Sequence, residues 1–282
     1  MSIHGVLGEN THYPKTYNPD ILYPISRNVG RDEIKHTTGF CQSYQGVDIW
    51  QAFEISWLNP KGISQVAILK LFIPADSPNI VESKSLKLYF NSLNFTVFED
   101  KQQLIDTIIQ DISFCVKKDI KIYLGDLSDE SFNTYLLEQK NCIDDALDFY
   151  QDNILLTHDI DSSFLQNFNH KNHQQTYQFY SNLLRSNCPV TNQPDWGSVF
   201  FEITTSYQLD FAKILQYILS FRQHNGFHEQ CVERIFADFM VHLNPSKLKI
   251  WANYTRRGGI DINPIRVFNT DFDNHLKRTI RQ

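Results

Sequence analysis

The residue with the greatest chemical reach in this chain of 282 residues is Cys188. It stands between Asn187 and Pro189 in SNCPVTNQPDWG, residues 186–197, a composition that disfavours helix and suits a loop presenting a side chain. A cysteine thiolate is the strongest nucleophile among side chains, able to add to an electrophilic carbon. The same residue also reads as a small apolar packing group, as free cysteines commonly are. Asp195 follows seven positions later. A carboxyl that donates a proton near neutral pH needs burial or a shared proton, so an acid role predicts a partly desolvated Asp195 close to Cys188. The plainer reading is an aspartate at a turn before Trp196 and Gly197.

Two further segments carry paired polar groups. In ESKSLKLYF, residues 82–90, Leu86, Tyr89 and Phe90, continued by Leu93, recur at helical spacing after the start signal of Ser77, Pro78 and Asn79. Glu82 then sits at the positive end of the helix, where its charge is favoured, and Lys84 and Lys87 lie off the apolar face. Such a helix is a site for a polar small molecule and an anionic cofactor, or an ordinary amphipathic helix with wet lysines. In FHEQCVER, residues 227–234, His228 and Glu229 open a second helix after Asn225 and Gly226. Read from the residues alone, Glu229 in that first turn is a helix-end charge and His228 an ordinary capping residue.

The elements that must position these groups form a repeated layout. Residues 48–57 and 65–73 read as strands joined through Asn59, Pro60, Lys61 and Gly62. The signature helix and a helix over 101–115 follow, the latter with Leu104, Ile105, Ile108, Ile109 and Ile112 on one face, then a strand over 120–124. The second half offers a strand over 198–205, a helix over 209–221 with Phe211, Ile214, Leu215 and Ile218 inward, and a helix over 227–241 ended by Asn244 and Pro245. Leu248, Ile250, Ala252 and Tyr254 alternate as a half-buried strand, and Gly258 with Gly259 turns into a final one. The expected fold is α+β: antiparallel sheets with paired helices on one face, used twice, over residues 1–150 and 151–282. The acidic segment 126–161 connects the halves and packs through Ile143, Leu147, Phe149 and Tyr150. The polar run QNFNHKNHQQ, residues 166–175, reads as a solvated loop, with His170 and His173 on it.

Composition narrows the partners. A net charge of −6 argues against broad nucleic-acid binding, which needs a positive surface. There is neither a signal peptide at the start nor an apolar run of bilayer length, so a cytoplasmic protein with no membrane partner is expected. Five cysteines without close pairing suit a reducing compartment, and the lack of a CxxC pair argues against structural zinc. No GxGxxG follows a strand, which excludes a Rossmann cofactor domain.

Four segments in order, ESKSLKLYF, SNCPVTNQPDWG, FHEQCVER and YTRRGGIDINP (residues 254–264), resemble the signatures of the QueF family of nitrile reductases, and the likeness runs from about residue 46 to 266. That resemblance implies a tunnelling fold, or T-fold, with two units per chain that join edge to edge and bind purine-like rings, and a homodimer. It implies NADPH-dependent reduction of 7-cyano-7-deazaguanine to 7-aminomethyl-7-deazaguanine, in queuosine biosynthesis, through a covalent thioimide on Cys188 with Asp195 as proton donor. The matching substrate-binding positions are Val81, Glu82, Ser83, His228 and Glu229. Those for NADPH are Ser83, Lys84, Arg257 and Gly258, with Arg256 and Lys87 as neighbours; cations and free backbone amides suit its phosphates, and a glycine lets the backbone approach closely. Two other readings keep the fold: a metal-dependent hydrolase of a purine or pterin, with Cys188 and His228 as metal ligands, and a non-catalytic purine-binding protein that uses Glu82 and Glu229 but has no need of Cys188 or Asp195.

Overall fold

A computed structural model describes residues 13–132, 141–148, 159–272 and 277–282. The chain forms two compact units, one of Met1–Val29, Val47–Thr134 and Arg256–Ile262, the other of Gly30–Gly46, Tyr135–Thr255 and Asn263–Gln282. Short excursions in sequence therefore belong to the unit opposite their neighbours. Residues 30–46 cluster with the second unit, and Arg256–Ile262, which carries the glycine pair, clusters with the first.

In chain order the elements begin with β1 (Pro24–Ser26), α1 (Asn28–Thr38), β2 (Gln45–Leu58), β3 (Ser64–Pro74), β4 (Asn79–Val81), α2 (Ser83–Ser92), α3 (Lys101–Val116) and β5 (Lys121–Gly125). Within the first unit β2 pairs antiparallel with β3, and β3 with β5; β1 and β4 form a small separate ribbon. The hairpin between β2 and β3 is closed by Asn59, whose side chain accepts from the backbone of Lys61 and Ile63, both at 3.0 Å. Leu86, Tyr89, Phe90 and Leu93 of α2 and Leu104, Ile108 and Ile112 of α3 are buried against Trp50, Leu69 and Leu71 of the sheet. Each such side chain contributes about 1.5–3 kcal/mol by leaving water, which is why the apolar stripe forms helix here. Asp100 starts α3 by accepting from Gln103 N at 2.8 Å, and Lys117 ends it in the left-handed region, φ 58°.

The second unit continues with β6 (Asn169–Asn187), β7 (Pro194–Gln208), α4 (Phe211–Leu219), α5 (His228–Leu243), β8 (Lys247–Tyr254) and β9 (Ile260–Phe268). Its antiparallel ladder runs β9–β8–β7–β6. Odd-numbered residues of β7, such as Val199, Phe201 and Ile203, face α4 and α5, where Ile214, Ile218, Ile235 and Phe239 complete the core. The antiparallel α+β class is what periodicity indicates.

Three local expectations change. The run 166–175 is not a loop throughout: from Asn169 onward it is the first half of β6. It is exposed on both faces there, so no alternation of apolar and polar residues betrays the strand. The helix expected over 209–221 is α4 followed by a short 3-10 turn, Ser220–Gln223. In the acidic connection, Ile143 is buried and Leu147 packs on the second core, whereas Phe149 and Tyr150 lie outside the described residues. Among the described residues, no helix is long and apolar enough to cross a membrane.

Candidate functional site

Cys188 is the first residue of the turn between β6 and β7, and its backbone fixes it there. Cys188 N donates to Gln193 O at 2.9 Å, and Asn192 N donates to Cys188 O at 3.0 Å. The ladder pairs Ser186 with Asp195 and Asn187 with Pro194. Side chains alternate along a strand, so Cys188, Ser186 and Asp195 share the face turned toward the helices, with Cys188 and Asp195 diagonal across the ladder; such neighbours stand about 7–8 Å apart at Cα. Just before the cysteine, Asn187 N donates to His224 O at 2.8 Å and accepts, through its own carbonyl, from Gly226 N at 3.1 Å. That clamp ties the cysteine turn to the loop leading into α5. A Cβ at Gly226 would lie 2.7 Å from His224 Nε2, so the approach needs glycine.

At the start of α5, His228 Nε2 stands 3.7 Å from Asp195 Oδ1. Asp195 is 4% exposed and Glu229 3%, so both carboxyls lie away from solvent, the desolvation an acid role for Asp195 calls for. The His228 ring meets the Tyr254 ring edge-on, centroids 4.2 Å apart and planes at 89°. Tyr254 pairs with Gly197 across the ladder. A Cβ on Gly197 would come within 3.2 Å of that ring, which explains the glycine closing SNCPVTNQPDWG. Beneath lies Cys231, fully buried beside the Ser186 and Tyr254 hydroxyls; burial pushes its thiol up to about 12 against the opposing pull of hydrogen bonds with those two hydroxyls. Burial likewise drives the Tyr254 phenol well above its ordinary value. Cys231 and Tyr254 thus stay neutral at physiological pH, and half-exposed Cys188 is the thiol of the pair open to a ligand. Neither Tyr254 nor Cys231 was expected at the site. Tyr254 looks like the last apolar residue of an alternating strand, and its phenol after Leu248, Ile250 and Ala252 was the available signal.

In the first unit, Glu82 is the N-cap of α2: Oε1 accepts from Lys84 N at 2.7 Å and Oε2 from Ser85 N at 2.8 Å. It is 1% exposed, and burial raises its pKa against the opposing pull of those two hydrogen bonds and of Lys87 and Lys84. Val81, the last residue of β4, is buried beside it and pairs with Pro24. Ser83 and Lys84 open α2 and are half-buried.

Arg257, Gly258, Gly259 and Ile260 make a tight hairpin turn, with Arg257 N donating to Ile260 O at 2.9 Å and φ of +57° and +77° at the two glycines. Both central residues of a type I′ turn need positive φ, hence glycine at each. A Cβ at Gly258 would lie 3.3 Å from the Lys87 side chain. Lys87 and the turn line a cavity of about 210 Å³, together with Glu54, Ser56, Asn91 and Asn94. The structure therefore unites Lys87 with Gly258, whereas Ser83, Lys84 and Arg257 do not line this cavity. The Lys87 ammonium beside a glycine backbone suits an anionic group, and the Glu54 carboxylate at Gly259 balances its charge. Among the described residues, no group of three or more His, Cys, Asp or Glu stands together as metal ligands.

These features define an α+β protein whose second unit sets a half-exposed cysteine at a turn tied to a helix start with buried acid–base groups, and whose first unit offers a glycine-turned cavity lined by both Lys87 and Glu54. Residues 13–124 match the family described as nitrile reductase, 7-cyano-7-deazaguanine-reductase N-term, and residues 194–271 match the QueF-like protein family. The chain is 51% identical to the NADPH-dependent 7-cyano-7-deazaguanine reductase of Psychrobacter cryohalolentis over 100% of both chains. It is 47% identical to the protein of that name from Acinetobacter baumannii, over 95% of this chain and 94% of the relative, and 46% identical to that of Acinetobacter baylyi over 100% of both. The chain belongs to this family of NADPH-dependent 7-cyano-7-deazaguanine reductases. A solved archaeosine synthase QueF-like structure covers 35% of the chain at 15% identity and a TM-score of 0.31, too slight a likeness to bear on the fold.

Proposed function

We propose that this chain reduces the nitrile of 7-cyano-7-deazaguanine to the aminomethyl group, consuming two NADPH. The observation that carries the reading is the second-unit cluster: half-exposed Cys188 on a turn clamped to the start of α5, with buried Asp195 3.7 Å from His228 on the same helix-facing side. Cys188, reacting as the thiolate, attacks the nitrile carbon, a C–S bond forms, and a π electron pair moves to nitrogen, which takes a proton from Asp195. NADPH, when bound, supplies one hydride to each of two reductions, the four electrons that nitrile-to-amine conversion requires. After the first, the C–S bond breaks and Cys188 departs with its electron pair, leaving an imine that His228 orients. Exclusion of water keeps that imine from hydrolysing before the second reduction.

The guanine-like edge of the substrate presents an amino group and a ring N–H that a carboxylate can accept together, and the proposed acceptors are Glu229 of the second unit and Glu82 of the first. Capping leaves Glu82 able to bind, because each carboxylate oxygen has two acceptor sites and the helix uses one. Val81, Ser83 and His228 flank these carboxylates. Ser83, Lys84, Arg257 and Gly258 hold NADPH, with Lys87 beside Gly258; a cavity of about 210 Å³ takes part of a dinucleotide. Five free cysteines fit the reducing cytoplasm, the exposed first half of the outer edge of β6 gives a homodimer a place to pair, and a net charge of −6 disfavours nucleic acid as a direct partner.

The test is NADPH oxidation by the purified protein on adding 7-cyano-7-deazaguanine without added metal. Two NADPH consumed per amine formed, abolished in Cys188→Ala, is the expected result. Tight binding of the base without oxidation overturns the proposal and returns a silent binder or a metal-dependent enzyme.

A further inference from the structure

Residues 277–282 form a strap across the side of the second-unit sheet opposite the site. Arg278 and Thr279 are buried, and the strap grips through its last two side chains. Arg281 Nη2 lies 2.9 Å from Gly197 O, 3.0 Å from Asn182 O and 2.9 Å from Ser198 Oγ. The Gln282 amide donates to Tyr254 O at 3.1 Å and to Asn263 Oδ1 at 2.6 Å, and its oxygen accepts from Asn253 Nδ2 at 2.8 Å and Thr279 N at 3.0 Å. Asn253 Nδ2 also donates to Lys277 O at 2.8 Å.

The two gripped carbonyls are not arbitrary. Gly197 and Tyr254 are cross-strand partners. On the other side of that pair the Tyr254 ring covers Gly197 and meets the His228 ring, while Asp195 is two residues back along β7. One registered pair thus has the strap on one side and the acid–base cluster on the other. Ile280, between the buried residues and the gripping ones, is 93% exposed and takes no part.

We propose that Arg281 and Gln282 are positioning residues: by holding the Gly197 and Tyr254 carbonyls they set the spacing of Asp195 and His228 for protonation of the nitrogen when Cys188 adds to the nitrile. The inference rests on the reading of Cys188, Asp195 and His228 above. Neither residue touches the substrate, so their loss slows the step without weakening binding of the base. Displacement of reacting groups by about 1 Å is enough to cost on the order of 10²-fold in rate, and a loosened strap allows a part of that.

The test measures adduct formation on Cys188 by intact mass against time, with saturating 7-cyano-7-deazaguanine and no NADPH, alongside the Kd of the base by titration. The doubly substituted Arg281→Ala, Gln282→Ala protein is expected to form the adduct about tenfold more slowly with Kd within about twofold of the parent. Arg281→Lys should recover part of the rate, and Ile280→Ala should match the parent. A merely stabilising strap lowers Tm and leaves the adduct rate of the folded protein alone; that result overturns the inference while leaving the site intact. Should the double variant not fold, Gln282→Glu, which keeps the acceptor but loses both donated bonds, gives the same comparison at a single position. A parent protein that forms no adduct overturns the reading of the site and this inference with it.

Discussion

The two helix starts that carry the glutamates are finished in opposite ways. At α2 the helix start is capped by the candidate substrate-binding residue itself, with both Glu82 oxygens engaged by backbone N–H groups. At α5 the N-cap is Phe227, which brings no acceptor; Gln230 instead accepts from Phe227 N at 3.2 Å, and Glu229 stands in the first turn rather than at the cap. Glu82 is therefore committed to the helix end as well as to its proposed ligand, whereas the cap of α5 falls to other residues than Glu229. Reactive groups divide in the same sense. The second unit holds Cys188, Asp195 and His228, and the first holds Lys84, Lys87, Arg257 and the glycine turn. On the proposed function, chemistry and cofactor charge recognition fall to different units, so substitutions should separate them.

The largest separation is expected from Asp195→Asn, which keeps the shape and removes the proton. Adduct formation and kcat should fall by about 10²-fold or more while the base still binds; equal losses in Kd and rate would make Asp195 a binding group. Next comes Gly259→Val. Its φ of +77° and a Cβ 2.2 Å from Glu54 Oε2 oppose any side chain, and a β-branched residue there should cost about 1–2 kcal/mol. KM for NADPH should rise several-fold with the Cys188 adduct rate in the absence of NADPH unchanged, and a parallel fall in that rate would break the division of labour.

A smaller effect concerns pH. Burial raises Glu82 above the ordinary 4.5 of a glutamate. A group of this kind stabilises the folded state when protonated and loses that contribution as pH rises through its raised value. Binding of two N–H donors needs the carboxylate, so affinity for the base should weaken on acidification before 4.5 is reached, and Glu82→Gln should flatten that slope in a binding titration. Smallest is His224, which burial lowers below 6.5. Its neutral form favours the folded state, a contribution complete above 6.5 and lost as pH falls toward the lowered value. Urea unfolding of His224→Gln at pH 7.5 and 5.5 should show less acid loss than the parent, and equal loss in the two would remove His224 as the cause.

The difference between the units also governs what the sequence disclosed. The first unit reads easily, since α2 and α3 bury one face each and Leu86, Tyr89, Leu104 and Ile108 keep a helical period. α1 does not, because it buries only Gly30 and Ile34 and is held by charge: Arg31 reaches Glu233 at 2.7 Å, and the same carboxylate accepts from buried Arg266 at 2.8 Å. Partners so far apart in sequence leave no local trace. Around the site, Cys188, Asp195, His228 and Glu229 each read equally well by residue type as a packing, turn or helix-end residue, and it is the resemblance of their compact segments to the family signatures that singles them out. Tyr254, Cys231 and the strap at Arg281 and Gln282 are not singled out so, because each acquires its place only through strand register.

The central claim is that Cys188 forms a covalent bond with the nitrile carbon. Incubating the protein with 7-cyano-7-deazaguanine alone, followed by intact mass and peptide mapping, tests it directly. One base added per chain on the peptide carrying Cys188, absent from Cys188→Ala and discharged by NADPH, is the predicted result. Unmodified protein under saturating base, or an adduct on exposed Cys41 that persists in Cys188→Ala, would contradict it.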